Sequence, residues 1–362
     1  MSVSEFGLYA LNVNAMIRVL SKSYISLIRT NTPFAKFPAV MLWGPPGVGK
    51  SQGVRGIKEA IETATGKKVV ITDVRLLLFN PVDLRGIPTA NEDKTLAVWL
   101  KPKIFQMDES QDVVNILFLD EISAASPSVQ AAAYQITLDR MVGEHTLPDN
   151  CIVIAAGNRV TDKSVAYNMP KALSNRLCHF EIKGDSVAWH NWAVKHGVHP
   201  FVVGYLEFNP VALMKQDMAE VGLAFPTPRS WEMVSNILCT VSEDIDAVYP
   251  MISGCIGTQT ASLFKDWTEI YASLPNMEDI FDGRHVSASK EAELLIALRT
   301  SMVFYAGKHP EKRLIDSSID FACQLPWTFR KQLLHDYFCM PTLRPILKEN
   351  DVFKTAVENG MK

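Results

Sequence analysis

The eight residues GPPGVGKS at positions 44–51, directly after the apolar run AVMLW at 39–43, decide how this chain is read. They satisfy G-x-x-x-x-G-K-[S/T] in the context that pattern requires, a buried strand before it and a helix after it. Gly44, Gly47 and Gly49 leave room for backbone N–H groups to turn inward around phosphate oxygens, and the following helix aims its positive end at the same anion. Lys50 is placed to contact the outer phosphates, and Ser51 to offer its hydroxyl to Mg²⁺. A glycine-rich turn of purely structural kind is the competing reading. Against it, Lys50 sits where a helix N-terminus disfavours a cation unless an anion is near. Val54, Ile57, Ile61 and Ala64 then recur at helical spacing, and Gly66 supplies a stop.

Composition sets the outer bounds. At 362 residues the chain exceeds the size at which a single core usually stops growing, so two domains are expected. Lysine and arginine number 36 against 39 acids, a net charge of −3 that argues against a wholesale nucleic-acid or membrane coat but leaves room for a local basic groove. The six cysteines form no C-x-x-C pair and no short metal-ligand spacing, as expected for reduced thiols in a cytoplasmic setting. No apolar stretch approaches the ~20 residues that span a bilayer, and no basic segment followed by an apolar block opens the sequence. The reading is therefore a soluble, cytoplasmic chain.

Five short β-rich runs, at 39–43, 68–73, 116–120, 151–156 and 178–182, alternate with helical or irregular segments. Strands of continuous apolar character separated by helices imply a parallel sheet covered on both faces, with ligands at the strands' carboxyl ends. Beyond Gly184 the pattern changes to long helical stretches rich in Trp, Leu and Met, a separate all-helical domain. The expected division is 1–35 as a helix and linker, 36–184 as a nucleotide-binding core, and 185–362 as a helical lid with a C-terminal extension.

ILFLDEIS at 116–123 puts two carboxylates at the end of a buried strand. Burying even one is costly without a cation or hydrogen bonds beside it. Asp120 suits the holding of Mg²⁺, and Glu121 the polarising of an attacking water. GPPGVGKS followed by LFLDE resembles the AAA+ ATPases, over residues of about 35 to 240, and further details resemble their MoxR branch. That resemblance implies a P-loop αβα core with a five-stranded parallel sheet in the order 5-1-4-3-2, an all-helical lid, and active sites shared between neighbours in a homo-oligomeric ring, usually a hexamer. It also assigns nucleotide contacts to Gly44, Pro45, Pro46, Gly47, Val48, Gly49, Lys50, Ser51 and Gln52, with ATP and Mg²⁺ as the bound species.

Three further residues complete the expected site. Asn158, in AAGNRV after a fourth strand, is placed to orient the attacking water, although an Asn in a turn is also an ordinary occupant. Arg176, in ALSNRLCHFEI, matches the family segment that supplies an arginine finger to the adjacent subunit. Arginine suits that role because it stays charged and spans two phosphate oxygens, while a cation near a helix C-terminus is also favourable for local reasons. Arg229, in PTPRSW, follows a capping Thr227 and a first-turn Pro228 and opposes the helix dipole. The resemblance makes it the lid's phosphate sensor.

The segment 82–105 resembles the insertion that marks the MoxR branch, with DLRG for D-L-x-G. Its turn at 91–94 between extended runs predicts a hairpin, and MVGEHTLP a second, shorter one. A helix over 127–140 is expected between them. His190, His196 and His199 read as lid surface, since no neighbouring Cys or acid completes a metal site. Trp189, Trp192 and Phe201 read as lid packing, and the tail 348–362 as a solvated helix. The resemblance implies Mg²⁺-dependent ATP hydrolysis coupled to remodelling of a protein client, with a von Willebrand factor A domain protein as partner. Two other classes stay open: a nucleic-acid motor, which the acid-containing NEDK turn does not encourage, and a nucleotide switch or scaffold without turnover. Nothing in the loop reads the base, so GTP is not separated from ATP.

Overall fold

The computed structural model describes residues 8–159, 174–214 and 222–358. The chain divides into two compact units, at residues 1–184 and 185–362.

The first unit is built on a parallel sheet. Its strands are β1 (Ala10–Leu11), β2 (Val40–Trp43), β3 (Lys68–Arg75), β6 (Val113–Asp120), β9 (Cys151–Gly157) and β10 (Cys178–Ile182), in the spatial order β1-β10-β2-β9-β6-β3. Leaving out β1, the remaining five follow the expected 5-1-4-3-2 order. The sheet nevertheless has six strands rather than five. Ala10 and Leu11 pair in parallel with Glu181 and Ile182, so the N-terminal segment supplies an edge strand as well as a helix. Two residues carry too short a pattern for periodicity to detect.

Alternation along the strands explains the layers. On β6, Val114, Ile116 and Phe118 face one apolar layer and Leu117 and Leu119 the other. The first layer is closed by α1 (Val13–Arg29) and α2 (Lys50–Thr65), through Met16, Leu20, Val54, Ile57 and Ile61. The second is closed by α3 (Pro81–Arg85) and α4 (Pro127–Leu138), through Leu84, Val129, Ala133 and Ile136. Phe118 is 1 % exposed, and burying a side chain of that size contributes roughly 2–3 kcal/mol. At Gly53 a Cβ would lie 2.0 Å from Met16 Cε, so glycine there lets α1 and α2 approach closely. The α4 helix stops at Leu138, two residues short of expectation, and Arg140 adopts a left-handed φ of 54°. Its guanidinium donates to the carbonyls of Pro148, at 3.2 Å, and Cys151.

Two antiparallel hairpins stand apart from the sheet. One joins β4 (Ile87–Ala90) to β5 (Ala97–Leu100), and the other joins β7 (Met141–Val142) to β8 (His145–Thr146). Asn91 closes the first turn, its Oδ1 accepting from Thr95 N at 2.9 Å and Leu96 N at 3.2 Å.

In the second unit every regular element among the described residues is a helix. Its core gathers Tyr205, Trp231, Phe264, Phe281, Leu334 and Tyr337, and Trp231 Nε1 donates to the Ala212 carbonyl at 2.8 Å. Thr227 caps Pro228–Thr240 as its sequence indicates, in a reciprocal box with Ser230.

Two sequence expectations fail in this unit. Among its described residues the tail from 348 is not wholly solvated: the helix breaks at Asn350, and in Asp351–Glu358 Phe353 and Ala356 are buried while most other positions are exposed. Nor are all the histidines at the surface. His199 is 1 % exposed, and its Nδ1 accepts from Phe201 N at 3.3 Å at the start of Pro200–Phe208. His190 lies 3.2 Å from Asp336 and 3.7 Å from Glu207. Those acids stand far off in sequence, so only folding brings them to it. Among the described residues, no cluster of three or more His, Cys, Asp or Glu is arranged to hold a metal ion, and no helix is long and apolar enough to cross a membrane.

Candidate functional site

The site forms where β2, β6 and β9 end side by side, and three sequence segments meet there, the outermost pair, Lys50 and Asn158, lying 108 residues apart. After Trp43 the chain leaves the sheet, with Gly44 N donating to Gly157 O at 3.3 Å, and wraps through the glycine loop into α2. The helix starts from Gly49, which has a left-handed φ of 98° that L side chains rarely adopt. No side chain caps this end, so the first turn presents its backbone donors and positive dipole toward the loop.

Lys50 turns back into that cradle. It is 8 % exposed, and its Nζ donates to Gly44 O at 2.5 Å, Pro45 O at 3.1 Å and Asn158 Oδ1 at 3.0 Å. Ser51 Oγ donates to Asp120 Oδ2 at 3.1 Å. A hydroxyl and a carboxylate converging at one point are hard oxygen donors, a set suited to Mg²⁺ rather than to a soft metal.

β6 ends at Asp120, and Glu121 reverses direction with a positive φ of 58°. A left-handed non-glycine residue costs about 1 kcal/mol, and here hydrogen bonds hold it: Glu121 N donates to Asp120 Oδ1 at 2.9 Å, and Ile122 N to Ala156 O at 3.0 Å. The reversal separates the two acids, one bound to the loop's serine and one leaving the strand. Asn158 N is anchored on Ser123 Oγ at 2.9 Å, which aims its amide oxygen at Lys50.

The structure thus brings Lys50 to Asn158 and its chain neighbour Ser51 to Asp120, two hydrogen-bonded pairs with Glu121 adjoining the second. Arg176 lies elsewhere, exposed in the turn that enters β10, and Arg229 is exposed in the first turn of Pro228–Thr240 in the other unit.

Several residues near the site went unnoticed in the sequence. Ser123 buttresses Asn158, and its position two residues after the acidic pair was the available signal. Asp73, on β3 beside β6, has its carboxyl raised above the usual range by partial burial and then by the charge of Asp120, with Arg75 and Arg55 opposing. Arg159 donates to Glu181 at 2.5 Å, and Glu181 is 1 % exposed, so the segment after β9 is tied to β10. Nothing local reveals that pair, since its members lie 22 residues apart.

A parallel sheet layered between helices, with a glycine-rich loop leaving β2 at its carboxyl edge, an acidic pair at the end of β6 and a helical unit following, is the α/β architecture that the sequence led us to expect. Consistent with this, residues 39–179 match the model of the "ATPase family associated with various cellular activities (AAA)", a stretch covering less than half of the chain. No curated protein matches it. Solved structures that resemble it include the Aeropyrum pernix ORC2 protein, at 10 % identity over 99 % of this chain and 97 % of that one, with a TM-score of 0.41. A Thermotoga maritima RuvB mutant gives 14 % identity over 80 % and 84 %, with a TM-score of 0.35. A putative ATPase from Cytophaga hutchinsonii gives 12 % over 96 % and 92 %, with a TM-score of 0.33.

Proposed function

We propose that this chain is a Mg²⁺-dependent ATPase of the MoxR type, which assembles with copies of itself and remodels a protein client. The observation that carries the reading is the convergence of Lys50, Ser51, Asp120 and Asn158 on one cradle at the sheet's carboxyl edge. In it, residues 44–52 wrap the triphosphate with backbone donors, and Lys50 exchanges its present oxygen partners for phosphate oxygens. Ser51 and Asp120 would hold Mg²⁺, which when bound neutralises charge on the phosphates. Glu121 takes the proton of the attacking water, and Asn158 orients that water. Arg176 of a neighbouring copy offsets charge that develops in the transition state, and Arg229 senses the phosphates from the helical unit, residues 185–362.

The client-remodelling part of the reading, and the von Willebrand factor A domain partner, draw support from the two hairpins and the DLRG segment that resemble the MoxR insertions. In this assignment residues 36–184 are the nucleotide core and 185–362 the lid. Calorimetry with MgATP, alongside phosphate release by the wild type and Glu121→Gln, tests it. Binding in both proteins with turnover only in the wild type is expected. Absence of binding heat in either sinks the proposal.

A further inference from the structure

We infer that His179 is a positioning residue for Arg176, fixing the turn that carries it to the strand from which the phosphate loop springs. The inference deepens the proposed function and rests on its reading of Arg176.

The geometry starts at Trp43, the last residue of β2 and the neighbour of Gly44. An indole Nε1–H can only donate. It lies 2.8 Å from His179 Nδ1, so that nitrogen is an acceptor and the ring proton resides on Nε2. The two ring planes are within 15° of each other. From the far side of the imidazole, Nε2–H donates to the Ser174 carbonyl at 2.6 Å. That same carbonyl accepts from Leu177 N at 3.4 Å and closes the turn 174–177, with Asn175 and Arg176 exposed at its corner.

One imidazole therefore connects the strand before the phosphate loop to the closing carbonyl of the arginine's turn. The turn's own closing bond is long, whereas the histidine's is short. Leu177 is buried on the same side of the sheet as Met41 and Trp43, which anchors the turn's exit but not its corner. Arg176 in turn has a guanidinium whose value in charge stabilisation depends on placement, and a misplacement of about 1 Å in such a group costs on the order of 10²-fold in rate. His179 touches no part of the cradle formed by Lys50, Ser51 and Asp120, so its effect is expected on the neighbour's chemistry and not on nucleotide binding in its own subunit.

Three variants grade the link. His179→Phe keeps a ring and removes both hydrogen bonds. His179→Gln retains an amide donor able to reach Ser174, and Trp43→Phe removes only the group that sets the tautomer. We expect His179→Phe to lower kcat about 10²-fold with KM for ATP changed less than about twofold, His179→Gln to regain most of the loss, and Trp43→Phe to fall between.

Subunit mixing supplies the decisive arm. His179→Phe retains its own cradle and lacks a well-placed finger, whereas Glu121→Gln retains the finger and lacks the base. Mixing the two inactive proteins should restore phosphate release, because His179→Phe sites then receive Arg176 from Glu121→Gln neighbours. Arg176→Ala mixed with Glu121→Gln is the reference and should behave likewise. If the reference recovers and the His179→Phe mixture does not, the positioning role is wrong while the arginine's reading stands. If the reference also fails, Arg176 does not act across subunits, and the inference falls with it.

Discussion

Lys50 in the sheet unit and Arg299 in the helical unit are both cations pressed into protein, at 8 % and 2 % exposure, yet their surroundings differ in kind. The hydrogen bonds that Lys50 makes to Gly44, Pro45 and Asn158 go to two backbone carbonyls and an amide oxygen, neutral groups that solvate a charge without cancelling it. Arg299 donates to two carboxylates, Asp336 and Glu207. Burial works against both members of the Arg299–Asp336 pair, but their mutual attraction outweighs it, with Glu207 also supporting the arginine. The carboxyl of Asp336 is held well below the usual range, and Arg299 is raised. A cation held by neutral oxygens remains electrostatically receptive to an incoming anion, whereas one matched by carboxylates is closed to it. Burial of charge by itself does not mark a functional site. The chemistry of the partners does.

The strongest way to break this contrast is at the receptive site. Glu121→Gln removes the proposed base while leaving the cradle intact, and phosphate release should fall about 10²–10⁴-fold with MgATP binding heat retained. Parallel loss of both would assign Glu121 to binding instead.

The closed site should respond in stability alone. Arg299→Met strands Asp336 without its guanidinium, and urea unfolding of the helical unit should lose about 3–5 kcal/mol with nucleotide affinity unchanged. A matching drop in MgATP affinity would erase the distinction between the two cations.

A smaller effect sharpens the boundary between surface and core in the same unit. Phe353→Ala, in the terminal helix, should cost about 3 kcal/mol in urea unfolding, whereas a solvated tail would give no change.

The mildest test uses pH. Burial pushes His199 down to about 4 despite the opposing pull of Glu243, so the folded protein holds this ring neutral where the unfolded chain, at 6.5, would protonate it. Between those values the unfolded state binds more protons, so stability of the helical unit should decline as pH falls from 6.5 toward 4. His199→Asn should flatten that slope in pH-dependent urea melts. An unchanged slope would place its origin in other groups.

Much of the sheet unit was legible because its signals are local. Glycine spacing, a lysine at a helix start and apolar runs at 116–119 and 151–156 each arise within a few residues, and the loop's chemistry needs them contiguous. The strand Ala10–Leu11 was not legible, since two residues have no period, and its place depends on Glu181 and Ile182 more than 170 positions away. His199, Asp336 and Phe353 were misread or missed for a related reason: whether a polar ring, an acid or the face of a tail helix meets water depends on which remote element covers it.

By itself, then, the sequence determined the place and local order of the glycine-rich loop, the acidic strand end, the two hairpin turns and the Thr227 cap, because backbone conformation and short-range hydrogen bonding follow from neighbouring residues. Only the tertiary structure decided that Asn158 reaches Lys50, that His179 links Trp43 to the Arg176 turn, and that Arg299 is matched by Asp336 and Glu207. Such pairings depend on through-space distances of about 3 Å between residues far apart in the chain, and those distances are set by strand order and helix packing.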